Sequence, residues 1–484
     1  MAGDVKFAVV PGQLDGGTSV TTDFTKSGFG TPVGAIFILT FDDSDDATPR
    51  TYSKPSIGFS DFTEDRCIIH QDADGQAEVD CDAHKSAVFS YGSLTTGGSL
   101  QIRGTIGAIT DGIRCTNDGS GGSGVDPFCT AILIGGADAV VDTTVVTLNT
   151  SVNGTATGSH AGLTDGNDKL VFFIGTNLAA EDSSETGIES SLGVCHIEGS
   201  DAGGYTFSQR GMGWSSDHTN VEGSPASILS TDRVLDILTE VGVQDWGAEV
   251  TGFSMSGGTI TVTTRDVAPA ASMEIYAIIV DLDTLKAKVG SVDLPTSGSS
   301  WTPSVSLGLT PDFVMLGLTD LTSEDTIATD AEAGVHGLSM VSGTGEESCQ
   351  TWYNEDAAAT TSTNVLYNPK ALDLRSDDVA TVLQDHSFSS FNAGDWTYTI
   401  NAENATVAKK AFYLAVGVTT VPPVDTNASW GFGRWNSGIA KTHRRQQFLM
   451  PGQPFLHQYT AKGLAAAFPD ELLVSQFDPT QLRM

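Results

Sequence analysis

The residues of this chain that could do chemistry are short acidic runs and scattered histidines. Asp72-Ala73-Asp74-Gly75 begins like a calcium-binding loop but lacks the glutamate expected at the twelfth position of that motif. A second run that could attract a hard cation consists of Asp42, Asp43, Asp45 and Asp46. A solvated turn is the better interpretation of both runs, with metal binding as the alternative. His70 and His84 are the closest histidine pair with acids nearby, and we interpret them as surface residues rather than ligands.

None of the short motifs that mark common active sites is present in the sequence. It contains no HExxH, no GxSxG, no Walker loop and no GxGxxG leading into a helix. A pair of glycosidase carboxylates leaves no local motif, so the 60 acidic residues allow such a pair without locating it. We therefore predict that the chain is not an enzyme and has no catalytic residue, no cofactor and no metal site.

The predicted strands of this chain recur in the same order along the sequence. Residues 246–281 predict a strand ending at Phe253, a Ser-Gly-Gly turn and the alternating strand ITVTTR. A loop at Pro269 and an apolar strand from Ile275 to Val280 follow. The same succession returns at residues 386–417. Two stretches with one succession of elements indicate an internal repeat.

Matches upstream extend both copies and reveal a third copy at the front of the chain. Each copy has an apolar strand after a turn with Gly or Pro, then a short strand with Ser and Gly, then a strand that runs into an acidic turn. The apolar strands are Ala35–Leu39, Leu170–Ile174 and Phe313–Leu316; the second set starts at Ser56, Ser191 and Gly337; the third set starts at Asp65, Ser208 and Glu347. We place the repeats at 1–138, 139–283 and 284–418.

The composition predicts an all-β fold. Gly is abundant, with 54 residues, and few segments show an apolar period of 3.6 residues. Each repeat is long enough to bury a core between two sheets. We predict three tandem β-sandwich-like repeats followed by an extended C-terminal arm at 419–484. The clearest helical candidate is STDRVLDILTEVG, with Ser230 or Thr231 as its N-cap and Gly242 as its stop.

The charge is strongly negative over the repeats and reverses at the C-terminal end. The formal net charge is −36, whereas residues 419–484 carry +2, so −38 falls on the remainder. An anionic surface repels a phosphate backbone, so we do not expect the repeats to bind nucleic acid. Solubility, a salty medium or a basic partner would each account for the acidity.

The C-terminal segment is rich in aromatic residues and arginine, which are types enriched at protein interfaces. We predict that it is an arm lying on a neighbouring subunit or on the body of its own chain. A small cap on the third repeat is the alternative. Two adjacent arginines in a segment of charge +2 make a weak nucleic-acid footprint. The predicted interface residues are Trp430, Phe432, Trp435, Arg444, Arg445, Phe448, Phe455, Tyr459 and Phe468.

Segments for targeting or cross-linking are not evident. No uninterrupted apolar run of about 18 residues exists, so we expect no transmembrane helix. The N-terminus lacks an apolar region behind a positive cluster, so we expect no secretory signal. Six cysteines without CxxC spacing predict free thiols in a reducing cytosol. A bridge between Cys67 and Cys81, or between Cys115 and Cys129, is the alternative.

The motifs shared by the copies resemble those of the tandem β-repeat virion proteins of tailed phages. The match rests on GF-x-P before the apolar strand, an S-x-G-F-like strand, an Asp-Arg-Cys strand entering an acidic turn, a D-x-G-x-x-x-T hairpin and a closing Y-x-A strand. It covers 1–418 and is best in residues 246–281 and in the third repeat. The first repeat departs from it at the insertion from Cys115 to Cys129.

The resemblance implies a structural protein of the phage virion, of the tail tube or major tail protein type. Such a subunit would form homo-oligomeric stacked rings, contact other virion proteins and be assembled in the host cytoplasm of a marine or other salt-adapted bacterium. A lumen lined with carboxylates would let genomic DNA pass without binding it, since like charges repel. A capsid decoration or tail fibre protein is the alternative, and a carbohydrate-binding module is a further one.

Overall fold

Most of the chain up to Thr419 is described by the computed structural model, together with two short segments beyond it. The described residues are 5–40, 42, 52–53, 55–73, 80–92, 100–118, 126–178, 183–186, 188–216, 225–239, 242–329, 334–354, 363–376, 381–419, 446–448 and 457–459. Within these ranges the regular structure is all strand and contains no α-helix. The chain divides into two compact units, Met1–Thr420 and Val421–Met484.

The first repeat forms one large and one small antiparallel sheet. Its strands are β1 (Lys6–Gln13), β2 (Thr21–Thr25), β3 (Pro32–Leu39), β4 (Tyr52–Ser53), β5 (Ser56–Ser60), β6 (Asp65–Ala73), β7 (Asp80–His84), β8 (Phe89–Gly92), β9 (Leu100–Ile109), β10 (Gly112–Asn117) and β11 (Phe128–Gly135). The large sheet has the order β1-β11-β3-β5-β6-β7, with β4 paired to β6, and the small sheet has the order β2-β10-β9-β8.

The second repeat has the same two sheets. Its strands are β12 (Val140–Thr147), β13 (Thr155–Ser159), β14 (Lys169–Thr176), β15 (Ser183–Thr186), β16 (Ile188–Ser200), β17 (Gly204–Ser216), β18 (Ala226–Ser230), β19 (Leu235–Leu238), β20 (Gln244–Ser254), β21 (Thr259–Arg265) and β22 (Glu274–Asp281). The large sheet has the order β12-β22-β14-β16-β17-β18, and the small sheet has the order β13-β21-β20-β19.

The third repeat follows the same plan. Its strands are β23 (Lys286–Asp293), β24 (Ser300–Trp301), β25 (Leu309–Thr319), β26 (Val335–Gly343), β27 (Glu346–Asn354), β28 (Thr363–Asn368), β29 (Leu372–Arg375), β30 (Val382–Asn392), β31 (Asp395–Glu403) and β32 (Lys410–Thr419). The sheet orders are β23-β32-β25-β26-β27-β28 and β24-β31-β30-β29. Three sheet pairs of one topology confirm the predicted all-β fold with tandem β-sandwich-like repeats.

The predicted helix after Ser230 is wrong. The chain leaves β18 at Ser230, turns, and enters the strand β19, whose Leu235 and Ile237 face Ala248 and Trp246 across the pairing with β20. Both residues are completely buried in the sandwich core of the second repeat. Apolar residues in this short stretch fit a helical period as well as a strand, and the pairing with β20 decides between the two.

Each repeat has its own core between its two sheets. Phe37 and Phe89 lie in the core of the first repeat, Phe173 and Trp246 in that of the second, and Trp396 in that of the third. All five side chains are completely buried. Each repeat therefore has the apolar interior of an independent β-sandwich.

A fourth core joins the three repeats. The other face of each large sheet contributes to it, with Ile36 from β3, Phe172 from β14 and Met315 from β25 at matching positions. The central strands of the large sheets are thus covered on both faces. This explains why Leu170–Ile174 and its counterparts are continuously apolar instead of alternating.

The three repeats close on one another with approximate threefold symmetry. In each repeat, the segment that follows the third strand of the large sheet reaches an edge strand of the neighbouring repeat. β15 pairs with β7, Ala328 forms a β-bridge with Ser227 of β18, and β4 lies against β28. The third contact returns from the third repeat to the first, so the head-to-tail arrangement closes into a ring.

In the second unit, Val421–Met484, the structure describes two short strands. These are β33 (Gln446–Phe448) and β34 (His457–Tyr459), which pair antiparallel with Phe448 opposite His457. The predicted extended arm otherwise lies outside the described residues and stays a prediction.

Candidate functional site

The centre of the three-repeat body is a cluster of buried aromatic rings, which we call the axial cluster: His70, Trp214, His336 and Trp352. His70, Trp214 and Trp352 come from β6, β17 and β27, which hold the same place in the three large sheets. Their ring centroids form a nearly equilateral triangle with sides of 5.8, 5.8 and 5.4 Å. His336, opposite Trp352 on β26, stacks on it at 6.4 Å. The four rings join all three repeats.

The imidazoles of the axial cluster are packed as neutral groups. Trp214 Nε1 donates a hydrogen bond of 3.2 Å to His70 Nδ1. His336 Nε2 and Trp352 Nε1 are buried and have no hydrogen-bond partner among the described residues. Burial holds the pKa of His70 well below its usual value, with a further contribution from nearby His336, and burial lowers the pKa of His336 to about 3. Groups with such pKa values are poorly matched to acid–base catalysis at neutral pH.

The body is filled along its axis. The fourth core contains a cavity of about 20 Å³, lined by apolar side chains from all three repeats, among them Ile38, Phe172 and Met315. A space of this size holds one water at most, and an apolar lining keeps it dry. The described residues therefore leave no central channel and no central site for a small molecule.

Polar contacts link the repeats around the axis. Between the first and second repeats, the Thr143 backbone N–H and hydroxyl both donate to Asp61 Oδ2, at 3.1 and 3.0 Å. Between the second and third repeats, Arg210 Nε donates to Ser291 Oγ at 2.8 Å. The first strand of each following repeat provides one partner, because Thr143 lies on β12 and Ser291 on β23. The first strand of the following repeat thus takes part in both junctions, while its partner lies in a turn in one case, Asp61, and on β17 in the other, Arg210.

The seam between the third and first repeats has no covalent link and is closed by buried contacts. Gln350 Nε2 donates to Ile38 O at 3.1 Å and to Thr130 Oγ1 at 2.7 Å. Ser348 Oγ shares a hydrogen bond of 2.6 Å with the same Thr130 hydroxyl. Phe7 stacks on Phe313 with centroids 5.1 Å apart. Polar and apolar groups together thus hold the ring closed.

The predicted acidic turns have a different structure where they are described. Asp42 is completely buried, and its Oδ2 accepts a hydrogen bond of 2.9 Å from the backbone of Tyr367 in the third repeat, so its assignment to a solvated turn is wrong. Asp43, Asp45 and Asp46 lie outside the described residues. Asp72 belongs to β6 and pairs with Ser53, whereas Asp74 and Gly75 lie outside the described residues.

His70 and His84 do not share a site. His70 is buried at the axis, so its interpretation as a surface residue is wrong. His84 is opposite Cys67 of β6, so these two side chains are on the same face of the sheet. Cys67 and His70 are three residues apart on β6, and side chains alternate between the faces of a strand. The two histidines therefore lie on opposite faces of the sheet. Within the described ranges, no group of three or more His, Cys, Asp and Glu side chains is arranged to hold a metal.

The predicted interface arm is described at two positions. Phe448 lies in β33 and Tyr459 in β34, where Tyr459 is opposite Gln446. The other predicted contact residues lie outside the described residues: Trp430, Phe432, Trp435, Arg444, Arg445, Phe455 and Phe468. Their role at a subunit interface stays a prediction.

None of the six cysteines forms a disulfide, as predicted, and all six are buried. Cys67 and Cys81 lie on opposite faces of the β6–β7 pair, because His70 is the partner of Cys81. Cys115 and Cys129 both lie in the sandwich core of the first repeat as free thiols. Burial raises the pKa of both thiols, which makes them poor nucleophiles.

The sequence contained a signal for the axial cluster. The aligned segments that start near Asp65, Ser208 and Glu347 place His70, Trp214 and Trp352 at the same position of the repeat. In a body with threefold symmetry, residues at the same position of each repeat can meet at the axis. The three ring-bearing residues meet this condition. Their meeting could not be inferred, however, because it depends on how the three sheets pack together.

The fold and the axial cluster define a closed, three-repeat all-β protein with a filled axis. Comparisons with protein-family models, with curated proteins and with solved structures found no match to this chain. In the part of the chain that the structure describes, no helix has the length and apolar character needed to cross a membrane.

Proposed function

We propose that this protein is a non-enzymatic structural component of a tailed-phage virion, and that its three repeats act as one preassembled threefold unit. The observation that carries the proposal is the closure of three repeats around a filled axis, with the seam between the third and first repeats sealed by Gln350, Thr130 and Ser348. The assignment to a virion rests on the repeat motifs that resemble those of phage structural proteins.

A structural role agrees with the chemistry of the interior. The axial imidazoles are packed among tryptophans, and the central cavity is too small for a ligand. An open groove on the first repeat is lined by Gln13, Leu14, Asp15, Thr21, Thr22, Asp23 and Asp126. It has no aromatic side chain on which a sugar ring could stack. These features give no support to an enzyme or to a carbohydrate-binding module.

The closure of the three repeats into a ring disfavours a tail-tube subunit. A tube subunit has to line a lumen, and the axis of this body is filled. Two chains could complete a ring of six repeats only if the first and third repeats were free to contact another chain, yet they contact each other. A lumen would therefore have to lie between whole bodies.

We accordingly favour a capsid decoration or fibre protein, with the tail tube as the alternative. A decoration or fibre protein does not have to line a lumen. It needs only a surface on the particle to bind and a segment that binds it. Whole three-repeat bodies, each strongly anionic, would repel one another in solution and so stay apart. The cationic, aromatic segment at 419–484 is the element that would bind another virion protein.

Electron microscopy combined with light scattering tests the proposal. The full chain and a chain ending at Thr419 are compared at physiological salt. We expect both to be compact particles with threefold projections and no polymer. Stacked rings or hollow tubes from the full chain would overturn the decoration role and support the tail tube. Immunogold labelling of particles with an antibody against the body then separates a capsid or fibre position from a tail position.

A further inference from the structure

The core of the third repeat contains a polar cluster that its sandwich fold does not need. Gln384 and His386 lie on β30, and Glu403 lies opposite Gln384 on β31. Gln384 and His386 are completely buried, and the Glu403 side chain is 6% exposed. Glu403 Oε2 and His386 Nε2 are 3.7 Å apart, which is too long for a hydrogen bond. Three polar side chains thus lie on one face of the β30–β31 pair, the face that borders the apolar core.

Each of the three side chains has an atom without a partner. Gln384 Oε1, both ring nitrogens of His386 and Glu403 Oε2 are buried and make no hydrogen bond within the described residues. The remaining atoms of Gln384 and Glu403 are fixed, because Gln384 Nε2 donates to Pro295 O and Glu403 Oε1 accepts from the backbone of Ala405, both at 2.9 Å. A buried polar atom that stays unpaired is destabilising, so each of these atoms favours a partner.

The histidine does not compensate the charge of the carboxylate. Burial lowers the pKa of His386 to about 4, so the imidazole is neutral at neutral pH. Burial also raises the pKa of Glu403. The rings of Trp301 and Tyr398, 6.0 and 6.4 Å from His386, keep the surroundings apolar. The cluster therefore has acceptor atoms but no cation.

The other repeats show that the fold does not require this cluster. His386 is opposite Leu372 on β29, and the corresponding pairs are Leu235 with Ala248 in the second repeat and Phe89 with Gly104 in the first. Gln384 is opposite Leu374, and the corresponding pair in the second repeat is Trp246 with Ile237. The second repeat thus fills the site with apolar side chains. At the positions of Gln384 and His386, the second repeat thus has apolar residues where the third has polar ones.

The unpaired atoms are an amide oxygen, an imidazole nitrogen and a carboxylate oxygen, all of which can bind a cation. Zinc holds nitrogen and oxygen ligands at about 2.0–2.2 Å in tetrahedral geometry, which places neighbouring ligand atoms about 3.3–3.5 Å apart. The separation of 3.7 Å between His386 Nε2 and Glu403 Oε2 is close to that spacing. Calcium and magnesium favour oxygen ligands in larger numbers, so the imidazole points to zinc.

We propose that Gln384, His386 and Glu403 form a zinc site in the third repeat. The metal binds Gln384 Oε1, one ring nitrogen of His386 and Glu403 Oε2, and leaves one coordination position for water. Because Gln384 is bonded to Pro295, zinc also ties the loop before β24 to the small sheet. The site lies outside the axial cluster and is independent of the role proposed for the virion.

Metal analysis of the full chain tests the site. The protein is stripped with a chelator, supplied with zinc chloride alone, desalted, and analysed for metal by mass spectrometry. We expect one zinc per chain and a thermal midpoint that rises with zinc. His386→Ala and the nearly isosteric Glu403→Gln should each weaken zinc binding at least tenfold. His336→Phe, a change at the axial histidine, is the matched control and should bind zinc like the parent.

Two results would overturn the site. One is parent protein that retains no stoichiometric zinc and shows no shift of its thermal midpoint. The other is zinc binding that is equal in the parent, His386→Ala and Glu403→Gln, since the metal would then be held elsewhere. Parallel titration with calcium chloride separates the cations, and binding of calcium in preference to zinc would refute the metal assignment. None of these results affects the oligomer test of the proposed function.

Discussion

The axial histidines predict that mild acid destabilises the body. His70 and His336 are neutral in the folded protein because burial lowers their pKa values, that of His336 to about 3. An unfolded histidine titrates near pH 6.5. Below that pH the unfolded chain binds protons that the folded chain does not, so stability is greatest above pH 6.5 and is lost as the pH falls. At pH 5 His336 costs about 2 kcal/mol relative to pH 7, and His70 adds a loss in the same direction.

The variant His336→Phe isolates the contribution of His336 to this effect. Phenylalanine keeps a ring stacked between Trp214 and Trp352 and removes a nitrogen that has no hydrogen-bond partner among the described residues. At pH 7 we expect its free energy of unfolding to lie within about 1.5 kcal/mol of the parent value. Between pH 7 and pH 5 it should lose about 2 kcal/mol less stability than the parent.

Urea unfolding at the two pH values, followed by tryptophan fluorescence, measures the difference. Carboxylates that titrate in the same range affect parent and variant alike, so they cancel in the comparison. Trp352→Phe is the control, because it alters the same ring cluster without removing a titrating group. Equal pH dependence in the parent and His336→Phe would refute the conclusion that the axial imidazole is held neutral.

Three further predictions concern stability and access. Gln350→Leu removes two buried hydrogen bonds at the seam between the third and first repeats, and should lower the free energy of unfolding in urea by about 1–3 kcal/mol. Asp281→Ala leaves the buried ammonium of Lys169 without its carboxylate, 3.6 Å away, and should cost about 3–5 kcal/mol in the same assay. The six cysteines should not react with a disulfide reagent in the native protein and should all react in urea, because all are buried; rapid native labelling would contradict their placement.

Local patterns were enough to predict the strands. The alternating strand ITVTTR and its apolar successor became β21 and β22 at the expected positions, because side chains on successive residues face the core and the outer surface. The stretch after Ser230 failed because its apolar spacing fits either a helix or a strand. The pairing of β19 with β20, the next strand along the chain, decides the outcome.

The sites depended on packing that the sequence does not encode locally. Asp72 and Asp74 follow His70 along the chain, yet alternation along β6 places the His70 ring at the shared axis. Glu403 lies far along the chain from His386, and only the pairing of β30 with β31 brings them together. Asp42 was interpreted as solvated because it begins an acidic run, but it accepts a hydrogen bond from the third repeat.

The short linkers between repeats make this body different from a trimer of separate subunits. Four residues, 136–139, join β11 to β12, and another four, 282–285, join β22 to β23. Covalent linkage gives the repeats an effective concentration of about millimolar or more for one another, so the body cannot dissociate on dilution. Three separate subunits would also bring three C-terminal segments to each threefold body, whereas this chain brings one. Because the three repeats are parts of one chain, their sequences differ, and the three faces of the body can therefore contact three different neighbours.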